Sequence, residues 1–370
     1  MEVPSQVHHL PEPHLKRSVL LCQIDNENRL NDKITNAHDF FEEYRSRLPD
    51  SVLWTPLLFS RWLSKDKLHV FIKLETEQVT NSFKVRGALY RTHVAICEGA
   101  KGVVTASTGN HALAVVHAVT LSDVAGIVFL PENTTSGKVK ALRASVKNTK
   151  AVIQFAGKDC LDAERKASQY AVEHSLVYIS PYNDECVIAG QGTVGVEILE
   201  TLSKLGVPFG NSFHRKCCYV TVGGGGLISG VAACLKLREP GVWRVVGCLP
   251  QNSPVMYDCA AAQQVIPSKC LPTLSDGSAG DIEPGSITLE YCCGLVDAWA
   301  LISEADIEKA IAGAFTNHRK VVEGAAAVAI AGFQVDERWR QGKNVETAVV
   351  VACGSNIDPD VFADIIKKHE

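Results

Sequence analysis

From Gly102 onwards, short apolar runs alternate with longer stretches whose apolar residues recur every three or four positions. Residues 102–106, 125–130 and 151–155 have the length and composition of buried strands. Residues 110–121, 136–145 and 159–174 have helical spacing. The alternation continues with strands at 176–180, 216–222, 243–249 and 347–353, and with helices at 187–205, 304–317, 324–338 and 360–368. Before it, 67–75 reads as a strand, 37–48 and 83–98 read as helices, and Pro56 imposes an extended approach to the next element. Residues 1–34 are polar and irregular, and are expected to form a poorly ordered N-terminal extension. Strands alternating with amphipathic helices imply right-handed crossovers and parallel sheets covered on both faces, an α/β protein.

Composition narrows the function classes. The 370 residues are 46% hydrophobic and 21% charged, as in a soluble globular protein of two domains or one large α/β unit. A net charge of -4 without a basic, aromatic-interleaved run argues against nucleic acid as a partner. No stretch approaches 18 uninterrupted apolar residues, so neither secretion nor a membrane span is expected. The thirteen cysteines are scattered, with no Cys-x-x-Cys. They read as small buried hydrophobes in a reducing cytoplasm.

Three stretches carry candidate chemistry. Lys84 stands at a loop-to-helix junction, where partial burial or a helix N-terminus lowers an ammonium pKa and frees the amine for imine formation. Gly223, Gly224, Gly225 and Gly226 lie between a strand and a helix beginning near Leu227. Backbone N–H groups in such a loop converge on an anion, and four glycines exceed what a tight turn needs. Gly226 is followed by Leu227-Ile228 rather than Lys-Ser/Thr, and no acidic residue ends the next strand at 246–250. A nucleotide P-loop and a dinucleotide site are thereby disfavoured against a single phosphomonoester. Pyridoxal phosphate combines such a group with an aldehyde that needs a lysine. Between another strand and helix, Ser107, Thr108, Gly109, Asn110 and His111 suit a carboxylate, although a plain N-cap would need only one of these residues.

The segments Ser82-Phe83-Lys84-Val85-Arg86-Gly87-Ala88, Ser107-Thr108-Gly109-Asn110-His111, Gly223-Gly224-Gly225-Gly226-Leu227 and Cys353-Gly354-Ser355-Asn356 resemble the four markers of the fold-type II pyridoxal phosphate enzymes. Within that superfamily the chain is most similar to the serine/threonine dehydratase and serine racemase branch, over roughly residues 50–368. The resemblance implies a tryptophan-synthase-β-like fold with two open, twisted, mostly parallel sheets flanked by helices. A large cofactor-binding domain would take 35–85 and 181–370, and a small mobile domain 86–180.

It also implies roles. Lys84 would bind the cofactor as an imine and later remove the Cα proton, Phe83 would pack beside the pyridine ring, and Asn110 would bond the 3-hydroxyl. Ser107, Thr108, Asn110 and His111 would enclose the substrate carboxylate, Gly223 to Gly226 with Leu227 would bind phosphate, and Cys353 would face the pyridine nitrogen. Glu323 matches a family glutamate near the cofactor without an assigned step, and the 275–280 loop reads equally as substrate-side or as a plain connection. A thiol at 353 favours elimination, hence dehydration and deamination of a 3-hydroxy amino acid such as L-threonine or L-serine to a 2-oxo acid and ammonia. Thr108 leaves racemisation open as the alternative, since its hydroxyl stands where it could protonate the other carbanion face. A catalytically silent amino-acid-binding relative is the third reading. Leu249 and Val255 replace an acidic metal-binding pair of the racemase branch, so no divalent-cation site is expected there. A cytoplasmic homodimer is typical of the resembling family.

Overall fold

The computed structural model describes residues 3–10, 17–65, 67–207 and 215–369. Its strands are β1 (Gln6–His8), β2 (Leu57–Phe59), β3 (His69–Leu74), β4 (Gly102–Ala106), β5 (Ala125–Leu130), β6 (Ala151–Phe155), β7 (Val177–Tyr178), β8 (Lys216–Thr221), β9 (Trp243–Pro250), β10 (Ala298–Ile302) and β11 (Thr347–Ala352). The helices are α1 (Arg17–Arg47), α2 (Lys84–Cys97), α3 (Asn110–Ser122), α4 (Ser136–Ser145), α5 (Cys160–Glu173), α6 (Glu185–Lys204), α7 (Gly226–Arg238), α8 (Val255–Ala262), α9 (Ile287–Leu295), α10 (Glu304–His318), α11 (Gly324–Val335), α12 (Glu337–Gln341) and α13 (Pro359–Lys368).

Two sheets result. Seven strands run in the order β1-β10-β9-β8-β11-β3-β2, and four in the order β6-β5-β4-β7. Every pairing is parallel except β1 on β10 and β2 on β3, the two edges of the larger sheet. Strands β8, β9 and β11 are buried at every residue, because helices cover both faces, and this is why they read as unbroken apolar runs. Helix α11 is buried over Gly324 to Phe333 and apolar all round, as befits a helix enclosed by the core.

Register places the site. Thr347 pairs with His69 and Ala352 with Leu74, while Lys216 pairs with Thr347. The carboxyl ends of β3, β11 and β8 therefore finish level, and the loops to Lys84, Cys353 and Gly223 leave from one end of the sheet. In open α/β sheets that end is where ligands bind.

Three differences from the sequence reading have physical causes. Residues 1–34, expected without order, contain β1 and much of α1, whose residues Leu30, Ile34 and Ala37 are buried; residues 1–2 and 11–16 lie outside the described residues. The helix expected over 324–338 ends at Val335, where the buried Asp336 turns aside to accept from the Tyr219 hydroxyl at 2.6 Å and from Arg244. Strands β2 and β10 and helices α8 and α9 are short, and tertiary pairing rather than local pattern defines them.

Candidate active site

Lys84 opens α2, and its backbone is clamped to the segment after β11. Ser82 bridges Gly354, the Phe83 N–H donates to the Cys353 carbonyl at 3.0 Å, and the Ser355 N–H donates to the Asn81 carbonyl at 2.9 Å. Asn81 takes a left-handed φ of 57° to make this turn, which asparagine tolerates better than most residues. Lys84 Nζ donates to the Pro181 carbonyl at 2.7 Å and lies 5.2 Å from the centroid of the Phe83 ring. Burial lowers its pKa to about 8, while Cys353, Glu164 and Glu323 act in the opposite direction. Near neutrality a usable fraction of this amine is therefore unprotonated.

The glycine loop joins β8 to α7 beside the residues that receive Lys84. A Cβ on Gly224 would lie 2.3 Å from the Tyr182 ring, and one on Gly223 would lie 3.0 Å from the Ser278 backbone. Gly225 has φ of 84°, a backbone state that side chains disfavour. The Thr288 hydroxyl donates to the Gly224 carbonyl at 2.7 Å and holds the loop's outer side. Gly225 supplies no side-chain cap to α7, and among the described residues no protein acceptor meets the N–H groups of Gly223 to Leu227. These donors, at the positive end of a helix, are arranged for an anion.

Across from them, Ser107, Thr108 and Gly109 lead from β4 into α3. The Ser107 hydroxyl accepts from the Gly109 N–H at 3.3 Å. His111 is buried, and its Nε2 lies 3.0 Å from the Ile179 carbonyl, which makes it the protonated nitrogen. Burial and then Lys84 push the imidazole pKa down to about 3, so it is neutral, and Nδ1 is left without a protein partner among the described residues. Asn110 Nδ2 donates to both oxygens of Glu323 at 2.9 and 3.0 Å, and its Oδ1 accepts from Asn356 Nδ2 at 2.7 Å. Asn356 also donates its N–H to Glu323 at 3.1 Å and its side chain to the Thr80 carbonyl at 2.9 Å. Despite these donors, burial raises the Glu323 carboxyl to about 7.

Cys353 is buried, and burial followed by Glu323 pushes its thiol well above the usual range, so it is uncharged. The short turn Asp276–Ser278 closes the ring of contacts: Ser278 packs on Gly223, and a Cβ on Gly277 would lie 3.6 Å from Glu323 Oε1. The 275–280 loop is thus part of the wall, with Asp276 ion-paired to Lys138 of α4 at 2.9 Å. Next to Ser180, a cleft of about 750 Å³ opens between α5 and the 283–284 segment, lined by Glu164, Tyr178, Asn183 and Glu283. Burial and then Glu283 raise the Glu164 carboxyl to about 7.

Chains of contact thus join the residues singled out in the sequence: Lys84 reaches Pro181, Tyr182 packs on the glycine loop, Ser278 and Gly277 lead to Glu323, and Glu323 holds Asn110. Pro181, Tyr182 and the linking role of Asn356 were not anticipated. Asn356 lay in plain view in Cys353-Gly354-Ser355-Asn356, but nothing local showed that it would bridge three elements. Leu249 and Val255 are buried apolar side chains with no donor atoms for a cation.

Comparison with known proteins agrees with this geometry. The family described as pyridoxal-phosphate dependent enzyme matches residues 48–354. The L-threonine dehydratase catabolic TdcB of Staphylococcus aureus is 32% identical over 332 residues, 88% of this chain and 90% of that protein. Among solved structures, the processed form of threonine deaminase isoform 2 from Solanum lycopersicum superposes with a TM-score of 0.80 at 28% identity, covering 99% of this chain and 97% of that one. Maize serine racemase superposes with a TM-score of 0.76 at 26% identity, covering 91% and 97%. On these matches the chain belongs to the pyridoxal-phosphate dependent enzymes.

Proposed function

We propose that this chain catalyses β-elimination from a 3-hydroxy amino acid, L-threonine or L-serine, to give a 2-oxo acid and ammonia. The observation that carries the reading is a half-buried lysine whose pKa burial lowers, joined through Pro181 and Tyr182 to a glycine loop whose N–H donors meet no acceptor among the described residues. Those donors fit the phosphate of pyridoxal phosphate, and the amine fits its aldehyde. When bound, that group supplies a carbonyl that condenses with amines and a ring that withdraws electrons from the bonds at Cα. Lys84 would hold it, and Gly223, Gly224, Gly225, Gly226 and Leu227 would bind its phosphate.

The remaining roles are those the family resemblance implies. Lys84 Nζ takes the Cα proton as a base matched to neutral pH. Ser107, Thr108, Asn110 and the neutral His111, at the start of α3, would receive the substrate carboxylate, and Phe83, next to Lys84, would pack beside the ring. Glu323 orients the Asn110 amide through its two carboxylate oxygens. Cys353 would face the ring nitrogen, and its uncharged thiol would not keep that nitrogen protonated as a carboxylate would, which would favour loss of the β-hydroxyl. The hydroxyl leaves as water by taking up the proton that Lys84 removed from Cα, and the released enamine takes up water to give the 2-oxo acid and ammonia. Residues 86–180, which contain the four-stranded sheet, would act as the smaller domain that closes on substrate.

A second reading, racemisation, is favoured by one feature: Thr108 carries a half-buried hydroxyl in the loop that leads from β4 into α3. Incubation with L-serine, L-threonine and 3-hydroxyaspartate, following 2-oxo acid against D-enantiomer, separates the two. Dehydration is expected to dominate. Glu164 and Glu283 line the cleft at Ser180, and an acidic side chain there would meet them unfavourably, so 3-hydroxyaspartate is expected to be the slowest substrate. Predominant D-enantiomer would overturn the first reading in favour of the second. The buried free thiols fit a reducing cytoplasm, and a homodimer is expected from the family. Sedimentation at micromolar concentration tests the latter.

A further inference from the structure

Lys84 is the first residue of a helix whose start carries no side-chain cap, since Phe83 has helical dihedrals and makes no capping bond. The backbone clamp to Gly354 and Cys353 fixes the chain as it enters this uncapped turn, and the rotation of the turn itself needs a further hold. Arg86, two residues on, points to the other side of α2 and is wholly buried. Its Nε and Nη2 donate to the two oxygens of Glu75 at 2.8 and 2.9 Å, and its Nη1 and Nη2 donate to the two oxygens of Glu197 at 2.7 and 2.8 Å. Thr193 accepts from Nη1 at 3.1 Å.

Lys73, also wholly buried, joins the group by pairing with Glu197 and donating to the Thr55 carbonyl at 2.7 Å. Arg45 of α1 also reaches Glu197, at 3.4 Å, so three cations and two carboxylates lie together, joining α1, β3, the turn after it, α2 and α6. Next to them α2 and α6 touch backbone to backbone: a Cβ on Gly190 would lie 2.7 Å from the Arg86 carbonyl, and the Gly87 N–H donates to Gln191 at 3.2 Å.

A buried charge group of this kind is a poor way to gain stability, because apolar residues of similar volume often do as well. What a guanidinium forked between two carboxylates provides, and an apolar side chain does not, is a fixed direction. We propose that Arg86 is a positioning residue for Lys84: by gripping Glu75 and Glu197 it sets the rotation of the first turn of α2, and so holds the lysine amine at the Pro181 carbonyl. The inference rests on the reading of Lys84 as the cofactor lysine.

R86K tests it, since the charge balance is kept while the fork is lost. Turnover is expected to fall tenfold or more, on the order of what small misplacements of a reacting group cost, with little change in KM. In the full-length protein stripped of cofactor, the pH midpoint for labelling Lys84 with an amine-reactive reagent is expected to leave its place near 8. R86M/E197Q removes one charge of each sign and is expected to show the same two changes. A midpoint that stays put, or a loss of turnover that only tracks loss of folded protein, overturns the proposal. So does failure of both variants to fold, which would make Arg86 a residue of stability alone. K84A guards the premise: turnover retained there sinks the reading of Lys84, whereas turnover lost there with R86K unchanged sinks only the role of Arg86.

Discussion

Asn110 Nδ2 lies 2.9 and 3.0 Å from the two carboxylate oxygens of Glu323, although 213 residues separate them in sequence. This contact ties the start of α3, which follows the small sheet, to the start of α11 under the large one. Burial wins over the donors that face Glu323, and its carboxyl rises from 4.5 to about 7. Between those values the folded protein holds a proton that the unfolded chain releases. The stability contributed is complete below about 4.5 and is lost as pH rises through 7. The difference in unfolding free energy between wild type and E323Q is therefore expected to fall by on the order of 3 kcal/mol from pH 4.5 to 7.5. Denaturant titrations across that range measure it, and a flat difference would refute the assignment.

G224A is expected to damage the glycine loop more than its size suggests. The added methyl would lie 2.3 Å from the Tyr182 ring, and Tyr182 is itself held by the Glu283 N–H on its hydroxyl at 2.9 Å. Overpacking of this kind costs about 1–3 kcal/mol. Both a lower melting temperature and weaker retention of pyridoxal phosphate on dialysis are expected. Unchanged retention would mean that the loop does not bind the phosphate.

Lys84 should stand apart from the surface lysines in its titration. In cofactor-free protein, labelling followed by peptide mass analysis is expected to show a midpoint near pH 8 for Lys84, against 10.5 for an unperturbed lysine. A midpoint above 10 would show that its amine is solvated rather than buried.

What the sequence made legible was local. Strands buried on both faces, such as β8 and β11, announce themselves as apolar runs, and three of the four marker segments follow β4, β8 and β11 closely. Strand β10 did not, because Ala-Trp-Ala-Leu-Ile follows closely on the apolar helix α9 with no glycine or proline between them. Strand β1 is three residues long and is defined by its pairing with β10. The step of Glu323 could not be assigned locally, since its partners Asn110 and Asn356 are brought to it only by the closing of two sheets. A trace of the Arg86 cluster was present all the same: Lys73 and Glu75 stand in an otherwise apolar strand segment, and a charge there needs a partner.

Metal removal is expected to leave activity intact. Leu249 and Val255, 1% and 3% exposed, offer no oxygen to a divalent cation. Assay after exhaustive chelation checks this, and activity lost to chelation and restored by Mg²⁺ would contradict it.

The most direct test of the central claim is to reduce the cofactor-loaded protein with borohydride, digest it, and locate the added pyridoxyl mass. The account predicts that mass on the peptide containing Phe83-Lys84-Val85, with no labelled peptide in K84A. Recovery of the label on another lysine, or its persistence in K84A, would contradict it.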